Sequence, residues 1–473
     1  MLPRLVAIVA SSALVLGLAG AIVATPRPSP TASTTAASIS YRAASSRLPT
    51  LSPAGQLAGL GALDGLALLD GVAHLDRLAL GDFATRYAST LSALGENPPE
   101  STEVVRWWSQ LAQQKRHDLV ALVPGLVGNL DGVPYDVRDA ANRAYLEITI
   151  SQIEAGLASA GGTAARAADE ARLDMLREVR LALGEQGQIP SRHLLAVDVA
   201  WPGQAVVALG DVAEADYVSF LVPGMFFTVQ GQIVDWTEIA LDIHRDKMSL
   251  VANPLSAGPI LASSDSQSTS ESHVAGTEMS SSTTDPPSAS SIATVAWMGY
   301  ETPNIFTVGA LDLAHDGADA LSATVDGLRA VRGDRQPKVS LITHSYGSTA
   351  ASIALQRGTL DIDALAIVGS PGVAVDDVRG LGLADGAVFV GEASWDPVAD
   401  IAFHGSDPGD PAFGAVQMDV GTGHDDVTGK TLGSAVGHLG YFAAGTKAMR
   451  SFALIGLGRL AEVPGQAQQI LAR

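Results

Sequence analysis

Cysteine is absent from all 473 residues, which excludes disulfides, thiolate chemistry and Cys-built zinc sites. Stability therefore rests on burial alone. Positive charge is scarce: 29 Lys and Arg stand against 50 Asp and Glu, a formal net charge of −21. Such a chain repels phosphate backbones, so nucleic acid is excluded as a partner. Charged residues of both signs reach only 17% and aromatic residues 5%, whereas hydrophobic residues reach 47%. That composition belongs to a globular protein, and the length accommodates two cores.

What is present is strongly segmented. An uncharged apolar run over residues 5–24 follows MLPR and precedes the polar TPRPSPTAS. Residues 1–24 are therefore expected to be a secretory signal peptide, with Ala19-Gly20-Ala21 as the cleavage site. Left uncut, residues 5–24 would attach the exported protein to the outer face of the cytoplasmic membrane. Residues 25–50, rich in Ser, Thr, Ala and Pro, read as a flexible linker. Over residues 51–190 Leu and Ala recur at helical spacing, with Asp-Gly breaks near Asp64 and Asp70 and further helices predicted over 104–116, 136–160 and 164–184. GEQGQIP closes this all-helical N-terminal domain.

From residue 191 the period changes. Short continuous apolar runs appear: HLLAVDVAW, AVVALG, YVSFLVPG, IATVAWMGY, KVSLITHS, ALAIVGSPG and GAVFVGEAS. Helical stretches such as TEIALDIHRDKMSLVANPL and LDLAHDGADALSATVDGLRAVRG lie between them. The alternation predicts an α/β domain with a mostly parallel sheet covered on both faces. A Ser/Thr-rich segment, residues 262–291, carries no core-forming pattern and is expected to be a disordered insertion.

SLITHSYGSTA, residues 340–350, ends a predicted strand with a serine in a tight turn. It approaches the G-x-S-x-G pattern of a nucleophile elbow, with Thr343 in place of the first glycine. Threonine adds bulk where strand and helix approach, while Gly347, Ser348 and Ala350 stay small. A serine hydroxyl is a weak nucleophile and requires a base and an acid to orient that base. On this architecture both follow the serine, acid first. Asp396 lies just past an apolar strand and before Pro397, with Asp400 in reserve. His438, between a glycine and an apolar stretch read as the final helix, is the preferred base over His424 in GTGHDD. His344 adjoins the serine and is expected to point away from it. An oxyanion hole would combine the amide of Tyr346 with that of Met225 or Phe226 after the Pro223-Gly224 turn; Met225 is preferred.

Read together and in order, PGLVGNLDGVPYDVRDAANRAYL, VPGM, WMGYETP, THSYGS, VGSPGV, DPVAD, DPGDPAFGA and GHLGYF resemble an actinobacterial α/β-hydrolase family catalogued as a domain of unknown function. Its members carry a helical N-terminal region, and the resemblance covers roughly residues 100–450. It implies an α/β-hydrolase fold, with Ser345 as nucleophile, Asp396 as acid and His438 as base. It also places Asn129, Asp131, Arg138 and Asn142 in a family-specific helical block whose spacing carries no chemistry of its own. The expectation is an exported serine hydrolase that cleaves an ester or related acyl bond of a small acyl or lipid-like substrate, with no metal or organic cofactor. The alternative is a non-catalytic cell-envelope binding protein on the same scaffold.

Overall fold

The computed structural model describes residues 53–158, 162–252, 291–399, 401–425 and 427–465. The expected leader and linker lie outside these, as do Asp400 and, apart from Ser291, the expected insertion. The described residues open with seven short helices: α1 (Pro53–Leu60), α2 (Gly65–His74), α3 (Arg77–Arg86), α4 (Ala88–Glu96), α5 (Ser101–Gln110), α6 (Gln113–Leu122) and α7 (Pro124–Asn129). Two longer helices follow, α8 (Tyr135–Ala158) and α9 (Thr163–Leu183). Asp64 is the N-cap of α2, but Asp70 lies inside that helix, so no break occurs there. The helix expected over 104–116 is divided, because Leu111 turns extended (φ −70°, ψ 137°) between α5 and α6. In α5, Val104, Trp107 and Trp108 fall at i, i+3 and i+4 and are buried, the stripe that docks an amphipathic helix.

Each of the seven apolar runs forms a strand: β1 (Arg192–Asp198), β2 (Gln204–Leu209), β3 (Tyr217–Val222), β4 (Ile292–Met298), β5 (Lys338–His344), β6 (Ala364–Val368) and β7 (Val388–Gly391). A two-residue β8 (Val416–Gln417) completes an eight-stranded sheet in the order β1-β2-β4-β3-β5-β6-β7-β8. β2 runs antiparallel to β1 and β4, and every pairing from β4 to β8 is parallel. Alternate residues feed opposite faces. Val207, Ala296 and Ile342 join one core, whereas Val206, Val295 and Leu341 join the other. Both faces are dry, so the strands read as continuous apolar runs. Helices α8, α9, α10 (Val229–Ala252) and α13 (Lys447–Gly456) cover the first face; α11 (Asp312–Arg332) and α12 (Tyr346–Gln356) cover the second.

Side chains from Leu57 to Ala141 form a third core of their own. The second half of α8 and all of α9 belong instead to the sheet: Leu146, Ile150, Leu176 and Val179 pack with Leu194 and Val207. A division at residue 190 would cut this shared core. The polar helical block is what ties the two parts together. β1 is an edge strand, and its outward backbone groups are taken by side chains. Asn129 Nδ2 donates to Val197 O (3.0 Å) while Val197 N donates to Asn129 Oδ1 (2.8 Å). Leu194 N donates to Asp139 Oδ1 (2.6 Å), Asn142 Nδ2 donates to Leu194 O (3.0 Å), and Arg143 donates to Arg192 O. Arg138 pairs with Asp131 and donates to Gly128 O, fixing the turn into α8.

One more polar feature crosses the sheet. Thr294, Ser219 and Ser340 stand in register on β4, β3 and β5. From α10, Lys247 Nζ donates to Ser219 Oγ (2.6 Å) and Thr294 Oγ1 (3.2 Å) in full burial. Burial pushes its amine down to about 7.

Candidate active site

Ser345 joins β5 to α12 at φ 52° and ψ −131°. Apolar strand residues lead into it, and small residues after it let the helix turn back at once. A non-glycine residue at positive φ costs on the order of 1–2 kcal/mol, so its surroundings must hold it. They do: Ser345 N donates to Val368 O (3.0 Å), while Ser345 O accepts from Ser348 N (2.9 Å) and Ser348 Oγ (2.6 Å). Thr343, the departure from the elbow pattern, is fully buried and donates its hydroxyl to Ala366 O (2.9 Å). The extra bulk sits between β5 and β6 as an added cross-strand bond. The close approach occurs on the other side, where a Cβ on Gly347 would lie 2.6 Å from Pro223 O.

The loop after β3 presses directly on the serine. A Cβ on Gly224 would stand 2.4 Å from Ser345 Cβ, so only glycine fits. Tyr300 OH donates to Pro223 O (2.8 Å) and Thr302 Oγ1 to Phe227 O (2.7 Å), which fastens the loop to the segment after β4. Phe226, itself at φ 65°, has its amide engaged with Pro303 O (3.0 Å). Of the two candidate donors this leaves Met225, whose amide has no partner among the described residues. The Tyr346 amide likewise has none, since it opens α12 and cannot bond within that helix.

Asp396 follows β7, and His438 lies in a turn nine residues before α13, with a 3-10 turn (Gly440–Phe442) between them and not the final helix itself. His438 Nδ1 meets Asp396 Oδ1 at 2.9 Å, with the carboxylate wholly enclosed and His438 5% exposed. The same oxygen accepts Val398 N (2.9 Å), and Oδ2 accepts Tyr441 OH (2.7 Å), which in turn accepts Ala393 N (2.8 Å). Burial opposes the charge on Asp396, but the bond and charge of His438, the Val398 amide and the Tyr441 hydroxyl outweigh it and hold the carboxyl at about 2. With Nδ1 committed to the carboxylate, Nε2 is the ring nitrogen left for another group. A glycine is needed here too: a Cβ on Gly369 (φ 58°) would lie 2.8 Å from Asp396 Oδ2 and 3.0 Å from His438 Nδ1.

His344 links base and serine. Its Nε2 donates to His438 O (2.8 Å), and the two rings stand 4.5 Å apart. Burial and the neighbouring imidazole push its pKa down to about 3, so it stays neutral. Ser345, 2% exposed, has no hydrogen-bond partner for its Oγ among the described residues. The structure thus gathers Ser345, Tyr346, Met225, Asp396 and His438 at the carboxyl ends of β3, β5 and β7. His424 is exposed on a two-residue strand paired with Thr431 and makes no bond to Ser345 or Asp396. Tyr441, His344, Gly224 and Gly369 carry no local signal of these roles. Only the recurrence of glycine beside each apolar strand end, in VPGM and VGSPGV, hints at close approach.

Among the described residues no group of three or more His, Cys, Asp or Glu is arranged to hold a metal ion, and no helix is long and apolar enough to cross a membrane. A cleft of about 470 Å³ bounded by Asp139, Arg143, Glu185 and Arg192 shares no residue with this site. Its arginines are already paired, with Asp139 and Glu238.

Residues 260–406 match the alpha/beta hydrolase family, a span that includes Ser345 and Asp396 and ends before His438. The chain is 26% identical over 414 residues to an uncharacterized protein of Mycobacterium tuberculosis, covering 76% of this chain and 56% of the relative. It is 30% identical over 146 residues to an uncharacterized protein of Mycobacterium bovis, covering 29% of this chain and 53% of the relative. The chain thus spans a little over half the length of the curated relatives it matches. No solved structure matches it. The parallel sheet, the strand order and the family match agree: the C-terminal part of this chain is an alpha/beta-hydrolase domain, in a chain whose relatives are uncharacterized mycobacterial proteins.

Proposed function

We propose that this protein is a serine hydrolase acting on an ester or related acyl bond. The observation that carries the reading is the Asp396–His438 contact of 2.9 Å beside a serine at φ 52°. In this reaction His438 Nε2 takes the proton of Ser345 Oγ as the oxygen attacks the acyl carbon. Asp396 holds the ring in the tautomer that leaves Nε2 unprotonated and steadies the imidazolium that forms. The developing oxyanion receives the amides of Tyr346 and Met225, each donor worth about 10²–10³ in rate. The tetrahedral adduct collapses, His438 returns the proton to the leaving group, and the serine is left acylated. Water, activated by the same imidazole, then hydrolyses the acyl-enzyme. Glycines at 224 and 369 support this reading, because a side chain at the first would collide with Ser345 and one at the second with the Asp396–His438 pair.

A fluorophosphonate probe tests it. Labelling on Ser345, located by peptide mass and abolished in His438→Ala, is the expected result. A folded chain that stays unlabelled would overturn the mechanism and leave the non-catalytic binder.

A further inference from the structure

Among the described residues twelve large apolar side chains are exposed to solvent; Leu63, Leu78, Ile148, Leu181, Ile189 and Trp201 lie away from the site, and the other six gather at one end of the sheet. Ile305, Phe306, Leu311, Trp395, Phe403 and Val436 all lie on loops at the site end of the sheet, with Phe306 90% and Trp395 89% exposed. Each loop is fastened to the site. The Phe306 turn belongs to the segment that holds Phe226 N and Pro223 O, and its Ala310 O accepts Tyr346 OH (2.8 Å). Phe403 packs edge-on against His404 (4.8 Å), whose ring stands 5.2 Å from that of Tyr346 and bonds to the Val308 backbone. Trp395 precedes Asp396, and its segment bridges to Val436, two residues before His438, with Gly437 N donating to Ser394 O (2.8 Å).

Two further observations say what such a rim meets. Trp395 is held at φ 62°, a strained backbone that turns an indole away from the fold with nothing of its own to pack on. Secondly, residues 223–228, 299–311, 392–406 and 433–442 contain no Lys or Arg. Anionic headgroups, acyl phosphates and nucleotide-borne acyl groups therefore find no counter-charge there, and the net charge of −21 repels them. An apolar surface without positive charge is what remains, bearing the exposed Glu301. Aromatic side chains are suited to an interface with one wet and one apolar side.

We infer that this rim docks on the surface of neutral or zwitterionic lipid, and that the substrate is a long-chain ester taken from that surface. The inference rests on the serine-hydrolase reading for its chemistry but not for its docking. Phe306 and Trp395 would enter the lipid first, bringing the mouth of the site to the ester.

The test uses the full chain with two substrates: p-nitrophenyl acetate in free solution and p-nitrophenyl palmitate in phosphatidylcholine vesicles. In Phe306→Ser/Trp395→Ser, the ratio of palmitate to acetate hydrolysis is expected to fall at least about tenfold. In parallel, the Ser345→Ala chain should sediment with phosphatidylcholine vesicles more than with phosphatidylglycerol vesicles, and less once the two aromatic changes are added. Phe403→Ser repeats the comparison on a separate loop. An unmoved ratio, an equal loss on both substrates, or a preference for phosphatidylglycerol overturns the docking. Hydrolysis that survives Ser345→Ala overturns the mechanism instead, and leaves the vesicle measurement to judge the surface.

Discussion

Two regions treat their backbone groups in opposite ways. Along the outer edge of β1, the amides and carbonyls of Leu194 and Val197 are matched one by one by Asn129, Asp139 and Asn142. At the carboxyl ends of β3 and β5, the amides of Met225 and Tyr346 are left open. Leaving a polar group without a partner costs about 1–3 kcal/mol when it is buried. A fold that brings three polar side chains to satisfy an edge strand, yet leaves two donors open beside an unbonded serine, has kept those donors for something else. The contrast separates what stabilises this molecule from what it does.

The largest expected effect breaks the site side of the contrast. Gly224→Ala sets a methyl 2.4 Å from Ser345 Cβ and must displace the loop carrying Met225. Ester hydrolysis is expected to fall about 10³-fold, with a modest change in melting temperature. Tyr441→Phe comes next. It removes one donor from Asp396 Oδ2, so kcat should fall about 10–100-fold with little change in KM. The same change has a signed effect on acid stability. Because the folded Asp396 carboxyl sits near 2 and its ordinary value is 3.8, its contribution is complete above 3.8 and lost as pH falls through about 2. Tyr441→Phe raises the lower limit, and acid titration followed by circular dichroism should show unfolding at higher pH.

On the edge side, Asn129→Ala orphans both polar groups of Val197 and should cost about 1–3 kcal/mol in denaturant unfolding, while turnover per folded molecule stays at the parent level. Lys247 gives an effect that is graded with pH. Its amine is driven from 10.5 to about 7 by burial, so the unfolded chain binds the extra proton between those values and stability rises with pH there. The slope is at most about 1.4 kcal/mol per pH unit, and Lys247→Met should flatten it. Smallest is Thr343→Gly. It restores the elbow pattern but deletes the bond to Ala366 O, and is expected to destabilise by about 1 kcal/mol with little gain in rate.

The same contrast explains what could be read in advance. The strands were legible because each is a local apolar run, and Ser345 and Asp396 could be singled out as candidates because each closely follows such a run, with His438 chosen by its later place in the chain. The polar block of α7 and α8 was not. Arg138 and Asn142 occupy the buried stripe of α8, where hydrophobic patterning expects apolar residues, and their partners lie on β1 and in the preceding turn. Tyr441 acts through Asp396, 45 residues earlier, and His344 through the carbonyl of His438, 94 residues later. Periodicity carries no information at such separations. The motif shows only that Thr343 adds bulk at the elbow; its bond across the strand to Ala366 O is not visible from it.

An edge strand with open hydrogen-bonding groups is a template on which another chain can add a strand. In this protein the side chains of α7 and α8 occupy that template from Arg192 to Val197. The helical block therefore also acts as a guard on assembly. A fragment beginning at β1 would present a bare edge and, without α8 and α9, a partly uncovered first face, and self-association through that edge is what the preceding helices guard the folded chain against.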